Sequence, residues 1–188
     1  MRGLLILLFG FLLLFGCSTA NNDINNVEAN SMINNTTNEV NKMRISSPEF
    51  QNNGLIPKKF SCQGEDINPQ LLFENVSDDA KSLVLIMDDP DAPGGTWVHW
   101  VLFNIPPDVT GILEDSVPDN AVQGLNSWPK NSYGGPCPPS GIHRYFFKLY
   151  ALDVSLNLDE SASKKDVEEA MSGHVLETAQ IIGLYSKS

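Results

Sequence analysis

The feature that most constrains this chain is an apolar run that ends abruptly in a proline-stiffened acidic corner. Ser82-Leu83-Val84-Leu85-Ile86-Met87 passes directly into Asp88-Asp89-Pro90-Asp91-Ala92-Pro93-Gly94-Gly95. A short unbroken apolar run bounded by turn residues is the pattern of a strand buried on both faces. Pro90 and Pro93 drive Asp89 and Ala92 out of helical φ/ψ into extended backbone. The carboxylates are therefore presented by a stiff bend at a strand end. Gly94 and Gly95 let the chain turn back, so that His99 opens the neighbouring strand within reach of Asp89 and Asp91. In that strand His99, Val101, Phe103 and Ile105 are expected on one face, with Trp100, Leu102 and Asn104 on the other. Pro106 and Pro107 end it, because proline has no N–H to give a ladder.

A second corner lies further on, Tyr133-Gly134-Gly135-Pro136-Cys137-Pro138-Pro139-Ser140-Gly141-Ile142-His143-Arg144-Tyr145. Its Pro/Gly loop can wall a pocket with backbone already fixed, so that little ordering entropy is lost on binding. It leads into a strand whose apolar face is Tyr145, Phe147, Leu149 and Ala151, with His143 on the same side if the strand runs back that far. Arg144, Phe146, Lys148 and Tyr150 face the other way. Residues 106–143 form a long stretch dense in Pro, Gly, Asn and Ser, the kind of loop that is functional when a compact domain contains it. One helix is predicted near the end. Ser163 serves as N-cap with Asp166 at N3, a variant of the capping box. Val167, Met171, Val175, Ala179 and Ile182 recur near helical spacing, and Gly183 stops it. The predicted fold is mainly β, an antiparallel β-sandwich with a C-terminal helix and long Pro/Gly-rich loops.

The chain's first seventeen residues, one arginine followed by an apolar stretch and Gly16-Cys17, read as a secretory signal. The apolar stretch falls short of the roughly 20 residues that span a bilayer. Leu14-Phe15-Gly16-Cys17 resembles a lipobox, with Phe15 in place of the usual small residue, and Cys17 is the expected lipidation site. A plain signal peptide or an uncleaved anchor is the alternative. Residues 18–44, rich in Asn and poor in apolar side chains, read as a flexible tether, and residues 45–188 as the folded domain. The expected location is the outer side of the cytoplasmic membrane, periplasmic or cell surface. In such an oxidising compartment Cys62 and Cys137 are an even pair. A bridge between them closes a loop of about 75 residues, worth about 4 kcal/mol in the chain-entropy model; two free thiols are the alternative. The net charge of −11 and the absence of a Lys/Arg cluster argue against a nucleic-acid partner.

Together, Asp89-Pro90-Asp91-Ala92-Pro93 with Trp97-Val98-His99-Trp100 and Asn104-Ile105-Pro106, and then the run from Tyr133 to Tyr145, resemble the two signature regions of the phosphatidylethanolamine-binding protein family, which includes the Raf kinase inhibitor proteins. Residues 60–71 and 173–185 are similar to its bacterial and archaeal branch, and the resemblance spans roughly 45–187. It implies a β-sandwich with a small anion-accepting pocket. Carried over by motif position, Asp89, Asp91 and His99 come from the first region. Pro139, His143 and Tyr145 come from the second, and Cys137 falls where backbone approaches the anion. The link from Pro93 to His99 is shorter than in eukaryotic members, and His143-Arg144-Tyr145 follows Pro139 more closely. Both changes reshape the pocket rim, and the kinase partner of eukaryotic members does not carry over to an exported protein.

The expected ligand is a phosphate-like anion or a phosphoethanolamine headgroup, with membrane contact through the lipid on Cys17 and a capacity to modulate partner proteins. Carboxylates repel phosphate unless they are paired or share a proton. The expected donors are therefore His99, His143, the Tyr145 hydroxyl and backbone N–H groups, with Arg144 able to orient an aspartate. Asp88 is expected to be a spectator and His174 a structural residue on the helix. Trp97 and Trp100 are expected to pack, Trp97 as a pocket wall. No cofactor, metal or catalytic residue is expected. Two other classes compete with this reading. A protein inhibitor, for instance of a protease, could act through loops in 108–134. A metal-dependent hydrolase could use Asp89, Asp91, His99 and His143, which are legal ligands, but no metal-site spacing supports it. No G-x-S-x-G motif supports a serine hydrolase.

Overall fold

In a computed structural model, residues 42–187 are described. The predicted leader, Cys17 and nearly all of the predicted tether lie outside them. The elements run β1 (Arg44–Ser46), β2 (Gly54–Leu55), a 3-10 turn (Lys58–Phe60), β3 (Leu71–Glu74), β4 (Ser82–Asp89), β5 (Trp97–Ile105), β6 (Gly111–Ile112), β7 (Val122–Gln123), β8 (Ile142–Leu152), α1 (Lys164–Ala170) and β9 (Val175–Ser186). Met43 is already buried in the core, so the domain takes in residues just ahead of the boundary expected at 45.

Two sheets form. A small one has the order β1-β3-β6, and a large one the order β2-β9-β8-β4-β5-β7, antiparallel except for β2 against β9. Between them Ile45, Leu71 and Phe73 of the small sheet meet Leu83, Leu85, Met87, Phe147, Leu149 and Ile181 of the large one. On the outer face of the large sheet a second cluster places Val84, Ile86, Val101 and Phe103 under Val167 and Met171 at α1. All eight positions of β4 are buried as a result, which is why its sequence does not alternate.

The helix is shorter than its spacing predicts. The capping box of Ser163 and Asp166 is present, but α1 ends at Ala170. The stretch from Val175, predicted to continue it, is the twelve-residue strand β9, paired along nearly all of β8. Gly173, at φ 84°, breaks the helix, and the open edge of β8 needs a partner. Ile181, Gly183 and Tyr185 also recur with period two, and that period wins. Gly183 is therefore not a helix stop but a strand residue opposite Tyr145, where an added Cβ would lie 2.4 Å from the Ile56 side chain. His174 lies in the turn between α1 and β9, its Nδ1 2.9 Å from Asp153 Oδ1.

The alternation predicted for β5 also fails at both ends. Its ladder with β4 skips one residue between Met87↔Trp100 and Asp88↔Val98, and another between Leu83↔Ile105 and Leu85↔Leu102. His99 and Asn104 fall in these bulges, Asn104 with φ 53°. A bulge puts two residues opposite one and re-aims the side chains beyond it. Ile105 therefore joins Trp100 and Leu102 in the inter-sheet core, while Val101 and Phe103, with half-buried Val98, pack in the cluster under α1.

Candidate functional site

Asp89 is the last residue of β4, and its carboxylate is used twice. Oδ1 accepts the Asp91 backbone N–H at 2.8 Å, fixing the corner, and Oδ2 lies 2.7 Å from His143 Nδ1. Asp91 turns outward, where the Arg144 guanidinium grips it with Nε–Oδ2 at 2.9 Å and Nη2–Oδ1 at 2.7 Å, and the Arg144 backbone N–H adds a third bond at 3.0 Å. Consecutive residues of β8 thus take the two carboxylates of the corner, one inside and one at the surface. The guanidinium beside Asp91 pulls its carboxyl down to about 2. Both carboxylates of the corner are hydrogen-bonded, and Asp91 is also paired with a fixed positive charge.

The bulge in β5 turns His99 toward β8. Its ring stands edge-on to Tyr145, centroids 5.1 Å apart, and to Trp128, also at 5.1 Å. His99 Nδ1 lies 2.6 Å from the Gly134 carbonyl oxygen. A carbonyl only accepts, so Nδ1 carries the proton and a neutral ring leaves Nε2 as an acceptor. Burial, the largest influence, pushes the imidazole below its ordinary value. His99 is therefore a neutral, oriented ring near pH 7, with its one N–H already given to the Gly134 carbonyl.

Tyr145 is fully buried, and its hydroxyl completes no hydrogen bond of normal geometry among the described residues. Burial first, and the Asp89 charge second, push the phenol well up, while the nearby Cys137 backbone N–H acts in the opposite sense. Cys137 is bridged to Cys62 with a Cα–Cα separation of 5.5 Å, so the predicted disulfide is present. Pro139 is exposed.

Asp89, His99, His143 and Tyr145 come together, but tightly, and all four are buried. The open space lies beside them. A cavity of about 300 Å3 is walled by Trp128, Lys130, Tyr133, Asp66 and the Cys62–Cys137 bridge. Gly134, on its wall, carries the carbonyl that holds His99. A larger groove of about 830 Å3 along β1 and β9 contains none of these residues.

Several participants have no sequence signal. Asp66, at φ 59°, accepts the Gly135 N–H at 2.7 Å. Trp128 stacks edge-on to both Trp97 and His99. Both lie in irregular segments whose path depends on the rest of the fold. Among the described residues no three of His, Cys, Asp and Glu converge as metal ligands. Asp89, Asp91, His99 and His143 are each committed to the protein partners described above.

A family model described as phosphatidylethanolamine-binding protein matches residues 46–186. The chain is 53% identical over 150 residues to a UPF0098 protein of Methanothermobacter thermautotrophicus, covering 77% of this chain and 99% of that one. It is 50% identical over 152 residues to a UPF0098 protein of Aquifex aeolicus, covering 77% and 89%. Among solved structures it resembles a putative phosphatidylethanolamine-binding protein homolog, CT736, of Chlamydia trachomatis, with TM-score 0.76, 45% identity and 79% and 99% coverage. It also resembles E. coli YbcL, described as a member of the mammalian PEBP family, with TM-score 0.74, 30% identity and 78% and 99% coverage. With both signature corners joined on one sandwich and the family model spanning the domain, this chain belongs to the phosphatidylethanolamine-binding protein family.

Proposed function

We propose that this protein binds a small phosphate-type anion, free or as a phospholipid headgroup, at the junction of the two corners, and acts by binding rather than catalysis. The observation that carries the reading is the Tyr145 hydroxyl, buried with the Cys137 N–H and the Asp89 carboxylate near it but closing no hydrogen bond of normal geometry among the described residues. A buried polar group left unpaired costs about 1–3 kcal/mol, and a fold keeps such a group where a ligand completes it. Two further features support an anion. Asp91 is neutralised by Arg144, and the Asp89 carboxylate is occupied by His143 and the Asp91 N–H. The Cys137 backbone N–H remains as a donor near the phenol. The disulfide fits an exported domain, and the lipobox-like Cys17 would hold it to the outer side of the cytoplasmic membrane, where headgroups and membrane-bound partner proteins are within reach.

Titration calorimetry with inorganic phosphate, with phosphoethanolamine and with phosphatidylethanolamine vesicles separates the sources of the anion. Tyr145→Phe is the decisive variant. It is expected to keep or raise the unfolding midpoint, since it removes an unsatisfied group, yet to weaken binding about tenfold to a hundredfold, the worth of one hydrogen bond to a charged group. No saturable binding by any of the three ligands, or equal affinity in Tyr145→Phe, overturns the proposal.

A further inference from the structure

The Cys62–Cys137 bridge joins two segments that are held very differently. Cys62 follows a firmly bonded turn. Ser61 Oγ donates to the Lys58 carbonyl and is bonded to the Tyr185 hydroxyl, both at 2.7 Å, and Gly64 and Glu65 donate back to Ser61 and Lys59. Cys137 sits between Pro136 and Pro138-Pro139, so its own N–H is the only backbone donor in residues 136–139. That donor lies near the Tyr145 hydroxyl without closing a well-formed hydrogen bond to it, and Cys137 lines the cavity whose wall also carries Gly134. Before it, Gly134 and Gly135 are anchored to His99 and Asp66; after it, Gly141 turns at φ 72° into β8. Between these points, among the described residues, the bridge and a hydrogen bond from the Cys62 N–H to the Pro136 carbonyl at 3.2 Å tie the loop down, with Pro136 and Pro138 buried beneath it.

The bridge is also accessible. Cys62 is exposed and Cys137 partly so, and both sulfur-bearing residues line the cavity of about 300 Å3 beside His99. Lys130 lines the same cavity and favours an approaching or departing thiolate, while Asp66 opposes it.

We propose that this disulfide is a thiol-exchange site that sets the affinity of the neighbouring pocket, an inference that rests on the anion-binding reading above. A low-molecular-weight thiol enters as its thiolate and attacks the exposed Cys62 Sγ. A new sulfur–sulfur bond forms there, the Cys62–Cys137 bond breaks, and its electron pair leaves on Cys137 Sγ. A second thiol releases Cys62 as a thiolate and departs as the symmetric disulfide, so two thiols are oxidised for one bridge reduced. Residues 136–141 then lose their covalent tie, and the Cys137 N–H is no longer held over Tyr145.

The test uses the oxidised protein under native conditions with reduced glutathione, quenched with iodoacetamide. Intact mass is expected to show a glutathione adduct on Cys62. Amide exchange is expected to rise in the peptide spanning 136–143 and to stay unchanged in β4. Phosphate affinity is expected to fall about tenfold, the loss of one donor to an anion. Cys62→Ser should reproduce the weaker binding and make it insensitive to glutathione; the reduced natural protein gives the same reading should that variant fold poorly. A bridge that opens only in denaturant, or one that opens without faster exchange at 136–143, overturns the proposal. If the oxidised protein binds no phosphate, the anion reading falls, and the adduct and exchange measurements still decide whether the bridge controls the loop.

Discussion

His143 Nδ1 lies 2.7 Å from Asp89 Oδ2, and this buried contact ties together two corners 54 residues apart in the chain. Because a carboxylate only accepts, the imidazole proton on that side is fixed at Nδ1, which sets what Nε2 can offer a ligand. Asp89→Asn breaks the arrangement without changing its shape. The amide can accept the Asp91 N–H or the His143 Nδ1–H through its one oxygen, not both. The expected outcome is a loss of about 1–3 kcal/mol in urea unfolding, with the His143 ring moved toward the Nε2–H tautomer in 15N spectra. Unchanged stability together with an unchanged tautomer would show that the carboxylate does not organise the site.

His99 gives the domain an acid sensitivity whose sign is set by its environment. Burial lowers its pKa below the unfolded 6.5. Between those two values the unfolded chain binds more protons than the folded one, so stability rises with pH there. Going down in pH, stability begins to fall near 6.5, and the cost is complete once the folded value is passed. His99→Gln keeps a donor for the Gly134 carbonyl but cannot titrate. Its unfolding free energy is expected to be flatter than the natural protein's from about pH 6.5 downward, where the histidine titrates. Parallel stability curves over that range would remove His99 as the source.

Gly135 is where the loop passes closest to the 60–66 turn. A Cβ there would lie 2.3 Å from the Phe60 carbonyl oxygen, 2.6 Å from Asp66 Oδ1 and 2.8 Å from the Ser61 Cα. Two of these are backbone atoms that cannot swing aside. Gly135→Ala is therefore expected to destabilise by about 1–3 kcal/mol, the range for overpacking, and to shift the His99 and Tyr145 ring resonances as Gly134 moves. Native-like chemical shifts would mean that the loop has room the geometry does not suggest.

The parts of the fold set by local chemistry are legible in the residues themselves. The apolar run of β4, the proline stop after Ile105, the face of β8 and the capping box at Ser163 all depend on neighbours in sequence. The cysteine pair depends only on parity and compartment. The illegible parts depend on distant partners. A bulge at His99 exists only because β5 pairs with β4 in a particular register, and it decides that His99 meets Tyr145 instead of joining Val101. The β9 strand has a spacing compatible with helix as well as with strand, and the open edge of β8 favours the strand. Asp66 and Trp128 reach the site through irregular backbone that carries no periodicity.

Asp88 shows the same limit and supports the sharpest separation of roles. It neighbours Asp89, but adjacent strand residues point to opposite faces, and Asp88 looks toward α1. As a residue expected to be a spectator of the ligand site, it has a structural place of its own: it is fully buried and ion-paired with Lys148 Nζ at 2.9 Å and Lys164 Nζ at 2.5 Å, one from β8 and one from the first position of α1. Removing one partner of a buried ionic cluster leaves like charges facing each other without compensation, typically at about 3–5 kcal/mol. Asp88→Asn is therefore expected to lower stability by about that amount, less whatever Lys148 recovers by turning to solvent. Lys164→Met should cost less, because Asp88 keeps Lys148. Phosphate binding by folded Asp88→Asn is expected to stay within about twofold of the natural protein, since the Asp89–His143 contact lies across the sheet. A stable Asp88→Asn protein would mean that the lysines are already hydrated. A folded one that no longer binds would mean that the outer face of β4 controls the inner one.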